Sequence, residues 1–180
     1  MPKDWLVGDD REARARARLY EAASDLIAKH GVDALDIDEL ARRAHCSRAT
    51  VYRHVGGKQA IVEAVLVQRS GAIVQAVETE VAGISGNRRA AAAIREALAQ
   101  IRADKVARQF VTADHAARSM TTVIESPTVL TIAGGLLGLA PDDTAAAGYA
   151  ARSVFAMLLW PAVDADAESG LIERIVRGLG

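Results

Sequence analysis

Residues 37–62, IDELARRAHCSRATVYRHVGGKQAIV, hold two short helices separated by a tight turn. Asp36 and Glu39 stand at capping-box spacing, with Asp replacing the usual Ser or Thr, so a helix is expected to start there. Ile37, Leu40, Ala41 and Ala44 recur at helical intervals and predict its buried stripe. His45 and Cys46 lead directly to Ser47, a good N-cap for a second helix, Arg48 to His54, and Gly56 and Gly57 stop that helix. A short helix, a tight turn and a second short helix make a helix-turn-helix unit.

Charge concentrates on this unit. From Leu40 to Val62 the chain places Arg42, Arg43, Arg48, Arg53 and Lys58 with no Asp or Glu, so five cations in 23 residues have nothing within the stretch to cancel them. Arg11, Arg14, Arg16 and Arg18 add to them from the preceding helix. Local positive charge of this kind suits phosphate binding, because neutralised phosphates release condensed counterions. The second helix is expected to enter a major groove, with Arg48, Ala49, Thr50, Arg53 and His54 outward and Val51 inward with Leu40 and Ala44. The Tyr52 hydroxyl, Ser47 and the free N–H groups at the helix start can reach phosphate.

Outward from this unit, the remaining sequence predicts helix throughout. The chain has 180 residues, 37 of them alanine and only four proline, with 51% hydrophobic and 4% aromatic residues, a composition that favours an all-α fold. Leu19, Ala22, Ala23, Leu26 and Ile27 predict a first helix over 11–30, closed by Gly31, and Met1–Asp10 reads as a flexible arm that includes Trp5. A long helix is expected from Lys58 to about Val81, followed by a Gly-Ser-Gly-Asn break over 83–87. Further helices are expected at Arg88–Ala103, Val106–Met120, Pro127–Leu137, Asp142–Trp160 and Ala167–Leu179, with Asp142 and Asp166 as start caps. The domain reading is a DNA-binding unit with its arm over 1–57, then a connecting helix and a second helical domain over 58–180.

A net charge of −1 excludes a uniformly basic nucleic-acid coat and a cationic membrane peptide. No unbroken apolar run reaches the roughly 18 residues of a membrane span. The single Cys46 cannot form an internal disulfide, which fits a reducing cytoplasm. No cofactor is called for. His45, Cys46 and His54 are too few for a zinc site that wants about four ligands, so no metal is expected.

The stretch from Arg11 to Leu66, and above all Ser47-Arg48-Ala49-Thr50-Val51-Tyr52-Arg53-His54 followed by Lys58, resembles the DNA-binding region of the TetR family of bacterial repressors. The resemblance implies phosphate contacts from Tyr52 and Lys58, and base or backbone contacts from Arg48, Ala49, Thr50, Arg53 and His54. It implies a double-stranded operator, a homodimer formed by the last two long helices, and a pocket for a small-molecule effector. Val154, Phe155, Leu158, Leu159, Leu171, Ile175 and Leu179 are candidates for the helix-pair interface or for ordinary core. Phe110, His115, Met120, Tyr149, Phe155 and Trp160 are candidate pocket residues. Three positions depart from the family pattern. Asp36 replaces a frequent Thr and loses its phosphate contact, His45 replaces a turn glycine, and Val55 replaces a larger Phe.

Three alternatives stay open: a DNA-binding activator or a repressor without ligand, a small helical enzyme on an apolar metabolite with His115, beside Asp114 and Arg118, as base, and a helical interaction module with no nucleic-acid partner. No nucleophile elbow, phosphate loop or paired-carboxylate motif accompanies the second, so no catalytic residue is assigned.

Overall fold

The computed structural model describes residues 5–112, 124 and 126–179. All regular elements among them are helices: α1 (Trp5–His30), α2 (Ile37–Arg43), α3 (Arg48–Val55), α4 (Lys58–Glu80), α5 (Gly86–Ala103), α6 (Ala107–Phe110), α7 (Pro127–Leu137), α8 (Thr144–Leu159) and α9 (Ala165–Arg177). Two compact units result, Met1–Arg69 and Ser70–Gly180, with the division inside α4.

In the amino-terminal unit, Leu19, Ala23, Leu26 and Ile27 form the buried stripe of α1, and α1 packs on α2 and α3. The expected arm is partly helical, because α1 begins at Trp5 rather than near Arg11. Gly31 ends α1 with a left-handed φ of 89° and an N–H donated to the Ile27 carbonyl at 2.9 Å. Val32 and Leu35, in the loop that follows, are buried and continue the apolar surface into Ile37 and Leu40 of α2.

In the carboxyl-terminal unit, α5 is central and packs on α6, α7, α8 and α9. Its Ala90, Ala93, Ile94 and Leu98 fall on one face and join Val77, Val81 and Ile172 in the core. Two arginines of α5 fasten neighbouring elements. Arg89 donates to the carbonyls of Val81 and Gly135, each at 3.1 Å. Arg102 binds Glu168 of α9 at 2.7 and 3.0 Å, and donates to the Met157 carbonyl of α8 at 3.4 Å. The hydrogen bond from Arg102, with the charges of Arg102 and Arg95, holds the Glu168 carboxyl below its usual pKa against the opposing effect of burial.

Several boundaries move. Helix α8 is capped by Asp143, whose carboxylate accepts from the Ala146 N–H at 3.0 Å, and α9 by Asp164, which accepts from Ala167 at 2.7 Å. Asp142 and Asp166 are therefore not the caps; in each case an Asp one or two residues earlier or later stands at the non-helical position from which its carboxylate turns onto the helix start. The helix expected over Val106–Met120 is described only as the short α6, and residues 113–120 lie outside the described residues. Helix α4 is the one helix among the described residues long and apolar enough, by length and composition, to cross a membrane, with a mean hydropathy of 1.4 over 18 residues. A search for unbroken apolar runs misses it because Glu63, Gln68 and Arg69 interrupt the sequence.

Candidate nucleic-acid interface and effector cavity

Ser47 opens α3, and its Oγ accepts from the Thr50 N–H at 3.2 Å. Asp36 opens α2 in the same way, accepting from the N–H groups of Asp38 and Glu39 at 2.8 and 2.9 Å. The departure at Asp36 thus has a structural use as a cap. Between the helices, the Cys46 N–H reaches the Ala41 carbonyl at 2.9 Å and the His45 N–H reaches Arg42 at 3.2 Å. This is the Schellman pattern that closes a helix with a left-handed residue. His45 supplies that residue itself, at φ 52°, and so takes up the conformation a glycine would adopt more cheaply.

Val51 and Val55 turn inward and are buried, which leaves Ser47, Arg48, Ala49, Tyr52 and Arg53 exposed and Thr50 half-buried. Val55 fills the inner position although it is smaller than Phe. Tyr52 is 50% exposed, and its ring lies near Gly57, where an added Cβ would stand 3.6 Å from the ring. Lys58, exposed at the first turn of α4, donates its ammonium to the Asp33 carbonyl at 2.5 Å, so a phosphate would have to draw it from that bond. Arg11, Arg14, Arg16 and Arg18 of α1 are exposed as well.

Two expectations need correction. His54 does not face outward: its side chain is only 15% exposed, with Nδ1 3.9 Å from Glu12 of α1 and Nε2 3.3 Å from Arg53. The eight-residue helix turns 100° per residue, so a residue next to the inward Val55 is carried toward α1. The cations also have partners, supplied from just before the acid-free stretch. Asp38 holds Arg48 through contacts of 3.1 and 3.3 Å, while Glu39 pairs with Arg42 and, at 3.7 Å, with Arg43. The sequence carries the signal for the Glu39 pairs, which sit at i,i+3 and i,i+4, but the Asp38–Arg48 pair spans the turn and needs the fold.

In the carboxyl-terminal unit a cavity of about 160 Å³ lies among α5, α7 and α8. Phe155, one of the candidate pocket residues, is on its wall. Phe110 is buried but is not on its wall, Tyr149 is 44% exposed and Trp160 74% exposed, so these three are not cavity residues. Tyr149 instead packs near Gly178, and Trp160 follows the end of α8 just before Pro161 breaks the chain direction. His115 and Met120 lie outside the described residues. The wall residues that were missed are aliphatic, and five of them are alanines: Ala93, Ala97, Ala133, Ala150 and Ala151. Their signal was alanine at i,i+4 spacing, which composition alone reads as helix propensity. A wider cleft of about 780 Å³ runs between α1 and α4 within the amino-terminal unit, with the charged Arg16, Glu21 and Arg69 on its walls.

Among the candidate interface residues, Ile175 is buried in the core of its own unit, whereas Leu171 is 41% exposed. Val154, Leu158 and Leu179 pack part-buried on that core. Trp160 and Val163, just beyond the end of α8, are the most exposed large apolar side chains among the described residues.

Comparison with known proteins agrees with this layout. Residues 19–65 match the family profile described as "Bacterial regulatory proteins, tetR family". The uncharacterized HTH-type transcriptional regulator YvkB of Bacillus subtilis is 39% identical over 64 residues, and that match spans 34% of each chain. The uncharacterized HTH-type transcriptional regulator Rv1255c of Mycobacterium tuberculosis is 24% identical over 179 residues, covering 96% of this chain and 88% of that one. In fold, the chain is similar to the TetR family repressor AlkX of Dietzia sp., implicated in biodegradation of n-alkanes, with a TM-score of 0.62 at 20% identity over 91% of this chain and 94% of that one. It is also similar to a TetR-family regulator of Mesorhizobium loti, with a TM-score of 0.61 at 19% identity over 94% and 96% of the two chains.

Proposed function

We propose that the chain, whose residues 19–65 match the TetR family of bacterial regulatory proteins, is a DNA-binding transcriptional regulator and, more closely, a homodimeric repressor released by a small-molecule effector. Residues 1–57 bind the operator and residues 58–180 receive the effector and dimerise. The observation that carries the reading is the outward row Ser47, Arg48, Ala49, Tyr52 and Arg53 on a helix anchored by buried Val51 and Val55. Arg48 and Arg53 read base edges, while Tyr52, Lys58 and the start of α3 hold phosphates. His54 acts through Arg53 and not at the bases.

One such helix reads only a few base pairs. A twofold pair reads two half-sites at one helical turn or more, hence a pseudo-palindromic operator. Exposed Trp160, Val163 and Leu171 supply apolar surface for the second copy. The effector enters the cavity among α5, α7 and α8 and favours a dimer geometry whose recognition helices no longer fit the half-site spacing. This demands different affinities for the two geometries, and a coupling of about 1–3 kcal/mol changes operator affinity roughly 5–150-fold. The repressor assignment draws support from AlkX, which is named a repressor. A cytoplasmic location belongs to the same reading and is supported by the free Cys46, which fits a reducing compartment.

The test is electrophoretic mobility shift with genomic fragments at two salt concentrations. Specific, salt-sensitive retardation that Tyr52→Ala abolishes is expected. Retardation indifferent to sequence, or untouched by Tyr52→Ala, contradicts the reading.

A further inference from the structure

We infer that Asp38 is a specificity-determining residue: it holds Arg48 ready for the edge of a guanine and weakens the pull of the DNA backbone on it. This deepens the proposal above and rests on its reading of α3 as the helix that enters a major groove. The geometry starts in the turn. The bends at His45 and Cys46 fold α3 back on α2, so that Arg48, the first residue of α3, meets Asp38 in the first turn of α2. Asp38 Oδ1 lies 3.1 Å from Arg48 Nε, and Asp38 Oδ2 accepts from Arg48 Nη1 at 3.3 Å. Asp38 is itself placed, because its backbone N–H donates to Asp36 at 2.8 Å. The neighbouring carboxylates have other work: Asp36 caps the helix, and Glu39 pairs with Arg42 and Arg43. The Asp38 and Arg48 side chains are 59% and 60% exposed, so the pair stands at the surface where a duplex can reach it.

The count of donors decides what the pair can do. A guanidinium carries five N–H groups. The contacts with Asp38 engage Nε and Nη1, which leaves one N–H of Nη1 and both of Nη2 for another acceptor. Guanine O6 and N7 together need two. Phosphate draws on a different property, the net charge, through release of condensed counterions. A carboxylate beside the guanidinium cancels that charge and leaves the outer donors in place. Asp38 therefore weakens the attraction of phosphate for Arg48 and spares that of a base, which carries no net charge. It also fixes a long side chain before DNA arrives, so less rotamer freedom is lost on docking.

The experiment takes a site that the full-length protein selects from genomic fragments and permutes each of its base pairs. Affinities of the parent, Arg48→Ala, Asp38→Asn and the double variant are measured by fluorescence anisotropy at several salt concentrations. The parent should prefer guanine at one position of each half-site, and Arg48→Ala should erase that preference with little change in salt slope. Asp38→Asn should tighten binding to every duplex and steepen the log–log salt slope by about 0.9 for each subunit. It should also reduce the guanine preference about 1.4–5-fold, the range an exposed ion pair supports. In the Arg48→Ala background, Asp38→Asn should leave every base preference unchanged. Asp38 is exposed and Asp36 caps the helix, so the variant is expected to fold, and Asp38→Ser replaces it if its melting midpoint falls. An unchanged guanine preference or salt slope in the folded Asp38 variant, or an equal loss of preference with and without Arg48, would overturn the inference and leave base reading by Arg48 standing. A parent protein with no base preference, or a preference that survives Arg48→Ala, would overturn both.

Discussion

The two units of the chain carry their information in opposite ways. In the amino-terminal unit, the proposed function lies in side chains that project: Arg48, Tyr52 and Arg53 are exposed on a scaffold set by Leu40, Val51 and Val55. In the carboxyl-terminal unit the proposed function lies in what side chains leave unfilled, a cavity walled by alanines and larger aliphatic residues of three helices. A projecting arginine in a helix-turn-helix pattern announces its chemistry, because phosphate is the same on every duplex and constrains what can bind it. A hole does not announce itself, because an alanine beside a cavity and an alanine on any helix look alike in a sequence. The family match at residues 19–65, against a chain-long likeness of fold at about 20% identity, follows the same division.

The largest test of the comparison is thermodynamic. Leu40→Ala removes a fully buried side chain and should cost about 3 kcal/mol. Hydrogen exchange should then lose protection over residues 19–65 and keep it over α5. Leu98→Ala should do the reverse. Equal loss in both regions from either variant would show that the two units do not open separately.

Next come the projecting residues. Arg48→Ala should change which bases are preferred, at about 1–3 kcal/mol of discrimination, measured by binding to a panel of mutated operators. Lys58→Ala should weaken all sequences alike and flatten the log–log salt slope by about 0.9, one phosphate. A uniform loss from Arg48→Ala would assign it to the backbone.

The carboxyl-terminal unit has its own electrostatic marker. Glu168 is lowered by Arg102, so in the unfolded chain it holds its proton at a higher pH than in the folded one. Its contribution is therefore full above the ordinary carboxylate range and fades as pH falls through the lowered folded value. Glu168→Gln should cost about 1 kcal/mol at neutral pH and remove that part of the acid-side loss, seen in denaturant midpoints against pH. The exposed Asp38–Arg48 pair should matter less to stability, about 0.5 kcal/mol, yet Asp38→Ala should raise affinity for every duplex by freeing a cation and removing an anion. Smallest is His45→Gly, which relieves a left-handed non-glycine residue and should gain roughly 0.5 kcal/mol in thermal unfolding.

The same contrast explains what was legible in the sequence. Helices α2 and α3 were readable to within a residue or two because Asp36, Ser47 and Gly56 are local signals that act over three or four positions. The inward turn of Val51 followed from helical periodicity. His54 was misread because its direction depends on Glu12, forty-two positions earlier on α1, and the Arg48 partner because Asp38 reaches it only across the folded turn. Aromatic residues were a poor guide to the cavity. Tyr149 and Trp160 stand at the surface, since a large ring fills or covers space and does not create it. The α8 cap shifted by one residue because two adjacent aspartates, Asp142 and Asp143, compete for one helix start.

The most direct measurement is selection of genomic fragments by the purified protein, followed by hydroxyl-radical footprinting of the enriched DNA. The account predicts an inverted repeat, with two protected segments on one face of the duplex whose centres are at least one helical turn apart, and their loss on substitution of Arg53 by Ala. Fragments enriched no further than the input, or a single asymmetric footprint that persists without Arg53, would contradict it.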